Sequence, residues 1–225
     1  QPLFSKHNDV MRLTIALTIS INYLRLTGVG EMKNIYITFV TLLVLGIGSG
    51  IYYFTAYKQS KMTLPENLVL QTYEGRDFSF NEMPPKVRLI EFMYTQCPDI
   101  CPNTTHTMRQ LQNELIEQGV FEDKVEFVTV TFDPTNDTEE VLSNYAESFE
   151  MNKTDGWHLL TGTKEDIREL ANTFEFQFRN PGTGEFVHTS ATYLLDENNR
   201  VIEIFGMGQK DFIKEDVYKK IMKNI

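Results

Sequence analysis

The stretch VRLIEFMYTQCPDICP, residues 87–102, places an apolar run directly before the only two cysteines of the chain. The run VRLIEFMYT predicts a buried strand that leads straight to the thiols. Each cysteine precedes a proline, a position that disfavours α geometry, so Cys97 and Cys101 are not expected to stack on one helix. Pro102 suits the first position of a helix predicted over Pro102–Gln118, which makes Cys101 its expected N-cap and places Cys97 in the preceding turn.

The position of the thiols just before a helix predicts reactive rather than structural cysteines. Backbone N–H groups and the helix dipole would face both sulfurs, which lowers thiol pKa values and favours thiolates. A disulfide that closes only three intervening residues removes little chain entropy and would be a poor staple. A loop at a strand end is also expected to be exposed. We therefore expect Cys97 and Cys101 to be a functional pair.

The rest of the chain after residue 61 alternates strand and helix signals. LVLQTYEGRDFSF predicts a hairpin that turns at Glu74–Gly75, and VEFVTVTF predicts a second buried strand. Helices are predicted over Thr138–Phe149 and Lys164–Phe174. TSATYLLD and RVIEIFG predict an antiparallel pair, followed by a helix from about Lys210. This order predicts an α/β, thioredoxin-like fold with an N-terminal β-hairpin extension, in which Cys97 lies beyond the carboxyl end of a strand.

The spacing of the cysteines leaves two kinds of chemistry open. The common redox motif has two residues between its cysteines, whereas this pair has three. A wider loop can hold two thiolates at one metal ion, with metal–sulfur bonds of roughly 2.3 Å and sulfurs about 4 Å apart. Soft thiolates select Cu(I), and a histidine would complete a three-ligand site that can also hold Cu(II).

Four histidines could supply that third ligand. His7 precedes the long apolar segment and is excluded. His106 lies within the predicted helix, where an exposed or hydrogen-bonded histidine is the commoner role. His158 begins a strand and is interpreted as a supporting residue. His188, in EFVHTSATYLLD, lies just before the strand that a thioredoxin-like fold would bring beside the first one.

Three motifs carry a resemblance to a known family. FMYTQCPDICP, TFDPTNDTEEVLSNYA and VHTSATYLLD, in this order, resemble the Sco/SenC family of copper-binding proteins, which assist cytochrome c oxidase assembly. The resemblance covers roughly residues 62–225. It implies that Cys97, Cys101 and His188 bind one copper ion, as Cu(I) or Cu(II), and that the two cysteines form a redox pair. It also implies delivery of copper to, or thiol reduction at, the dinuclear copper site of oxidase subunit II.

The chain departs from the family pattern at two points. Val187 stands where many members have Asp before the histidine, so the resemblance does not name a partner for the His188 ring. Bacterial relatives are often lipoproteins, but no third cysteine is present for lipidation. Asp133 and Asp137 fit the acidic motif of the family, and Asp137 is interpreted first as the start of a helix.

Two hypotheses remain open for the function. The first is a membrane-anchored copper metallochaperone with a site formed by Cys97, Cys101 and His188, supplied by a copper donor. The second is an extracytoplasmic thiol–disulfide reductase that uses only the two cysteines and is itself reset by a reductant. The segment HTSATY lacks the proline that thioredoxin-type enzymes place opposite their cysteines, which leaves the position open for a metal. Met93 and Met207 are potential soft ligands, but core packing is their expected role.

The charge distribution and one apolar segment predict the location. Residues 1–61 carry six basic and two acidic side chains, so the total of −10 leaves −14 for residues 62–225. An acidic domain argues against nucleic acid as a partner. Residues 34–57 contain no charge in 24 residues, enough to cross a hydrocarbon core of about 30 Å as a single helix. The excess of basic residues upstream favours a cytoplasmic N-terminus.

These features predict three regions. Residues 1–31 are interpreted as a leader, with the hypothesis that it is not translated in the native protein, because MKN at Met32 is typical of a start ahead of an anchor. Residues 34–57 are predicted to be a transmembrane anchor, and residues 62–225 a thioredoxin-like copper-binding domain. We expect a single-pass protein of a bacterial cell membrane with its soluble domain outside, where disulfides can persist.

Overall fold

The computed structural model describes residues 31–57, 61–65 and 67–225 of the chain. It divides at residue 57 into an N-terminal unit and a C-terminal unit. Apart from Glu31, the predicted leader and His7 lie outside the described residues.

The N-terminal unit is a helix, α1 (Glu31–Tyr52), which continues as a π-helical turn over Tyr53–Tyr57. Its Lys33–Tyr52 segment has a mean hydropathy of 1.9, and none of it is buried. A helix satisfies all of its backbone hydrogen bonds internally, as a span through lipid requires. By length and composition, this helix is able to cross a membrane.

The strands described in the C-terminal unit are β1 Val69–Thr72, β2 Asp77–Ser79, β3 Val87–Met93, β4 Val125–Thr131, β5 Trp157–Thr161, β6 Phe178–Arg179, β7 Val187–His188, β8 Ala191–Leu195 and β9 Val201–Gly206. Seven of them form the central sheet, in the order β2-β1-β5-β4-β3-β8-β9. Strands β3, β4 and β5 run parallel, whereas β8 pairs antiparallel with both β3 and β9. The arrangement confirms the predicted α/β, thioredoxin-like fold with a leading hairpin, β1–β2, that turns at Gly75 with φ +79°.

The two central strands are buried along their whole length. All seven residues of β3 and all seven of β4 are buried, because helices cover both faces of the parallel part of the sheet. Four α-helices lie in the described part of this unit: α2 Ile100–Glu117, α3 Glu139–Ser148, α4 Lys164–Thr173 and α5 Lys214–Met222. The predicted start of the last helix near Lys210 was wrong by about one turn.

A second, two-stranded sheet was not predicted. Strands β6 (Phe178–Arg179) and β7 (Val187–His188) pair antiparallel and place His188 opposite Phe178. Strands of two residues are too short to leave an alternating pattern in the sequence. This small hairpin is nevertheless the element that positions His188 three residues before β8.

Candidate metal centre

The two cysteines lie at the carboxyl end of β3, in the loop and the first turn that follow it. Helix α2 begins at Ile100 with Asp99 as its N-cap, so the predicted N-cap role of Cys101 is wrong. The helix can start earlier than predicted, because Pro102 then still lies in the first turn. Backbone N–H groups there have no intrahelical partner, so proline is tolerated. Cys97 remains outside the helix, and its Sγ accepts the backbone N–H of Cys101 at 3.4 Å.

Cys97 and Cys101 are free cysteines, and their pKa values are shifted in opposite directions. The hydrogen bond from Cys101, opposed by burial and reinforced by His188, lowers the pKa of Cys97 to about 4. The same hydrogen bond, together with burial, raises the pKa of Cys101. The prediction of two lowered pKa values is therefore correct for Cys97 and wrong for Cys101. Two adjacent thiols do not both ionise readily without a cation, because the two negative charges repel each other.

The expected exposure of the pair was also wrong. Cys97 is 8% exposed and Cys101 is fully buried, since α2 packs its first turn against the sheet. Cys97 is thus the thiol that reaches the surface of the domain.

His188 lies on β7 near the thiols, and one of its ring nitrogens is already hydrogen-bonded. Its Nδ1 lies 2.9 Å from the carbonyl oxygen of Thr189. A carbonyl can only accept, so Nδ1 carries the proton and Nε2 is the nitrogen available to a metal. Burial lowers the pKa of His188, but hydrogen bonds with Cys97 and Thr189 outweigh it, and the net pKa is raised. The carbonyl of Thr189 supplies the ring partner that Val187 does not.

Aromatic rings enclose the imidazole. Phe132 lies 5.2 Å from His188 between ring centroids, Phe176 lies 5.9 Å away in a stacked arrangement, and Tyr94 makes an edge contact at 6.1 Å. Phe186 in turn contacts Tyr94 and Phe132. Sequence reasoning missed this enclosure, although the phenylalanine-rich segment FEFQF, which leads into β6, was a visible signal. The rings restrict the orientation of His188 and its access to water.

The structure brings together the three residues predicted to be ligands. One ligand atom from each of Cys97, Cys101 and His188 lies within 4.8 Å of the other two. Atoms this close together can be reached by one metal ion with bonds of about 2.0–2.3 Å.

The other candidate ligands lie elsewhere in the described part of the chain. His106 is exposed on α2, where its Nε2 lies 3.1 Å from Gln110. His158 lies on β5 with its ring 4.8 Å from Phe78, and burial lowers its pKa. Met93 and Met207 are buried in the core, as predicted.

Asp137 has a different role from the one first assigned to it. Thr138 is the N-cap of α3, accepting the N–H of Val141, so Asp137 does not start the helix. Its carboxylate instead accepts the backbone N–H of Thr95 at 3.2 Å, and it also accepts the hydroxyls of Thr95 and Thr131. Thr95 lies two residues before Cys97. Asp137 therefore links two elements: the loop that contains Cys97, through Thr95, and the end of β4, through Thr131.

A comparison with family models decides the classification. Residues 58–224 match the SCO1/SenC model. This chain belongs to the SCO1/SenC family. The Bacillus subtilis SCO1 protein homolog is 28% identical over 63% of this chain and 72% of its own length. The SCO2-like protein of Rickettsia typhi is 30% identical over 66% of this chain and 72% of its own length.

Solved structures of Sco proteins share the fold of this one. A SCO1/SenC family lipoprotein from Bacillus anthracis superposes with a TM-score of 0.64 at 27% identity, covering 72% of this chain and 95% of its own. BsSco, a member of the Sco family of cytochrome c oxidase assembly proteins, has a TM-score of 0.61 at 24% identity, covering 72% and 93%. Arabidopsis thaliana ScoI, solved with copper bound, has a TM-score of 0.59 at 20% identity, covering 70% and 94%.

Proposed function

We propose that this Sco protein carries copper for the assembly of cytochrome c oxidase, with Cys97, Cys101 and His188 holding the ion. The convergence of two thiol sulfurs and one imidazole nitrogen within 4.8 Å supports this most directly. The donor set fits copper, because thiolates select Cu(I) and an added imidazole suits Cu(II). The copper bound by a plant protein of the same fold supports the same cargo.

The three side chains divide the work of loading and release. Cys97 is the ready donor, because its lowered pKa keeps it a thiolate at neutral pH. Cys101 must lose its proton on loading, so binding is coupled to proton release. His188 presents Nε2 with no reorientation, since Thr189 holds the opposite nitrogen. A three-donor site leaves a position at which a ligand of the receiving protein can attach.

The receiving protein in this proposal is cytochrome c oxidase subunit II, at its dinuclear copper centre. Helix α1 would anchor the chain in the cell membrane as a single pass, with the domain on the extracytoplasmic side. The length and apolar character of the Lys33–Tyr52 segment support an anchor. The relative from Bacillus anthracis is a lipoprotein and therefore also membrane-attached. A copper donor would load the site from the same side.

The asymmetry of the thiols also favours a second candidate, thiol–disulfide reduction. The Cys97 thiolate would attack one sulfur of a partner disulfide, forming a mixed disulfide and releasing one partner thiolate, which takes up a proton. Cys101 would then lose its proton and attack the Cys97 sulfur. The second partner thiol leaves, and the Cys97–Cys101 disulfide holds the two-electron oxidation. A thiol reductant would be needed to reset it, and His188 would be dispensable.

Copper titration of the full chain in detergent, for wild type and His188→Ala, separates the two candidates. Wild type is expected to bind one Cu(II) with a sulfur-to-copper charge-transfer band. His188→Ala is expected to bind Cu(II) at least about tenfold more weakly, or roughly 1.4 kcal/mol. Its disulfide should still form and be reduced. His106→Ala, which alters an exposed histidine outside the site, is the matched control and should bind like wild type.

Oxidase assembly in cells completes the separation. A copper carrier requires His188, so the His188→Ala strain should lack assembled oxidase while the His106→Ala strain retains it. Wild-type Cu(II) affinity together with normal assembly in His188→Ala would exclude the copper-carrier proposal and favour the reductase.

A further inference from the structure

A cavity of about 300 Å³ lies beside β6, the strand that pairs with the His188 strand β7. Its apolar lining includes Phe132, Ile167, Phe178 and Phe186. Three cationic side chains also line it: Lys164 and Arg168 from one face of α4, and Arg179 from β6. Among the described lining residues, Asp133 is the single acidic one. The cavity therefore combines apolar walls with an excess of positive charge.

The three cations have no carboxylate partner within the described structure. None of Lys164, Arg168 and Arg179 forms an ion pair there, whereas seven other basic residues do. Asp133, the acidic residue of the lining, forms no ion pair with them; it is only 6% exposed, and its carboxylate accepts the side-chain amide of Asn136 at 2.7 Å. The cavity thus offers three unpaired cations to a ligand.

One of these cations is held in place by an aromatic ring. The Arg168 guanidinium lies over the ring of Phe178, 4.6 Å from its centroid. Stacking fixes the plane of the guanidinium while its N–H donors remain available in that plane. Such a fork matches a carboxylate, which it can bind through two parallel hydrogen bonds.

The setting of the cavity indicates what kind of molecule it receives. The region of residues 62–225 carries a net charge of −14, so an acidic protein is repelled by most of this surface and attracted at this cavity. The cavity shares Phe178 and Arg179 with the groove that contains His188. An acidic segment seated here would bring the rest of its protein beside the metal centre.

We propose that this cavity docks an acidic segment of the protein that receives the copper, with Asp or Glu carboxylates bound by Lys164, Arg168 and Arg179. The identity of that protein as oxidase subunit II rests on the proposed function, whereas the acidic character of the segment rests on the cavity. Docking through charge orients the partner so that its empty copper site faces His188.

Calorimetric titration of the full chain in detergent tests the docking site with two probes. The probes are the soluble domain of oxidase subunit II from the same organism and a hexaglutamate peptide. The cavity variant is Lys164→Gln/Arg168→Gln/Arg179→Gln. The control variant, Lys124→Gln/Lys219→Gln/Lys223→Gln, removes the same charge from exposed lysines that do not line the cavity. We expect at least tenfold weaker binding of both probes by the cavity variant and less than twofold by the control.

The outcomes separate this proposal from the proposed function. Binding of hexaglutamate but not of subunit II, with the same dependence on the cavity, would keep the docking site and reject that partner. Equal weakening in both variants, or no binding of either probe by wild type, would overturn the docking site. The Cu(II) charge-transfer band should be unchanged in the cavity variant. Its loss would assign the three cations to the metal centre and would also overturn the proposal.

Discussion

Two buried carboxylates on neighbouring central strands have different kinds of hydrogen-bond partner. Glu126 on β4 accepts hydrogen bonds from Lys86 at 2.6 Å and from Arg88 at 3.2 Å, near the amino end of β3. Glu91 on β3 is fully buried nearer the thiols, and its partners within the described residues are hydroxyls. Thr105 donates to it at 3.2 Å and Thr129 at 3.3 Å.

The difference shows that the two ends of β3 have different roles: the amino end stabilises the fold, and the carboxyl end adjoins the candidate metal centre. At the amino end, Arg88 also binds Asn199 and two backbone carbonyls, so a permanent charge network holds the strands in register. Nearer the thiols, none of the described residues gives Glu91 a cationic partner, and burial raises the pKa of Glu91 to about 8. A neutral Glu91 leaves the negative charge at this end of the sheet to the Cys97 sulfur, where a cationic cargo can use it.

The largest expected effect concerns the pH dependence of stability through Glu91. Its pKa is raised from 4.5 to about 8 in the folded state, so its stabilising contribution is complete below about pH 4.5. That contribution is lost as pH rises through about 8, because the unfolded state releases the proton more easily. At about 1.4 kcal/mol per pKa unit, the loss amounts to up to roughly 5 kcal/mol. Glu91→Gln keeps a neutral side chain at every pH and should not show this loss of stability.

Urea unfolding between pH 4.5 and 8 measures this effect, followed by the fluorescence of Trp157, the single tryptophan. Trp157 donates its indole N–H to Thr129 at 3.0 Å and so reports on the same buried cluster. The stability of Glu91→Gln relative to wild type should rise with pH. The exposed Glu169→Gln is the control and should follow the wild-type profile. A constant difference between Glu91→Gln and wild type at all pH values would refute the neutral Glu91.

Arg88→Leu should destabilise the domain strongly by breaking the network at the amino end. It leaves Glu126 buried with one cation fewer, and the other acceptors of Arg88 lose their hydrogen-bond donor. Removing one partner of a buried ion pair typically costs about 3–5 kcal/mol in the free energy of unfolding. The control Arg200→Leu breaks an exposed pair with Asp196 and should cost less than about 1 kcal/mol. Equal losses in urea unfolding of the two variants would remove the contrast between the ends of β3.

Asp137→Ala should have a smaller effect on stability and a specific effect on copper. It leaves Thr95 and Thr131 without their acceptor, at a cost of about 1–3 kcal/mol. Because Thr95 precedes Cys97 by two residues, Cu(II) affinity should also fall, about threefold or more. Asp137→Asn retains an acceptor oxygen and should lose less of both. A loss of helix content with unchanged Cu(II) affinity would return Asp137 to the role of a helix start.

Strong local patterns made the fold predictable from the sequence. The apolar runs of β3 and β4 and the helical spacing after the cysteines are long enough to identify, and their order specified the thioredoxin-like sheet. His188 was placed correctly because the segment after it, β8, returns antiparallel to β3. The chain therefore encodes the convergence of its candidate ligands in patterns that do not depend on side-chain detail.

Features that depend on tertiary contacts could not be predicted in this way. The roles of Asp137 and Glu91 depend on hydroxyls 42 and 38 residues away in the chain, and local propensity carries no trace of them. The opposite pKa shifts of Cys97 and Cys101 arise from a hydrogen bond between them, whereas the helix dipole alone predicts the same direction for both. One signal was visible in advance: a glutamate inside the buried run VRLIEFM must be neutral or paired.

X-ray absorption at the copper edge, on the copper-loaded full chain, tests the ligand set most directly. We expect two sulfur neighbours at about 2.3 Å and one imidazole nitrogen at about 2.0 Å. In His188→Ala the imidazole scattering should vanish while both sulfurs remain. A shell of oxygen and nitrogen donors without sulfur, or imidazole scattering that persists in His188→Ala, would contradict a copper site formed by Cys97, Cys101 and His188.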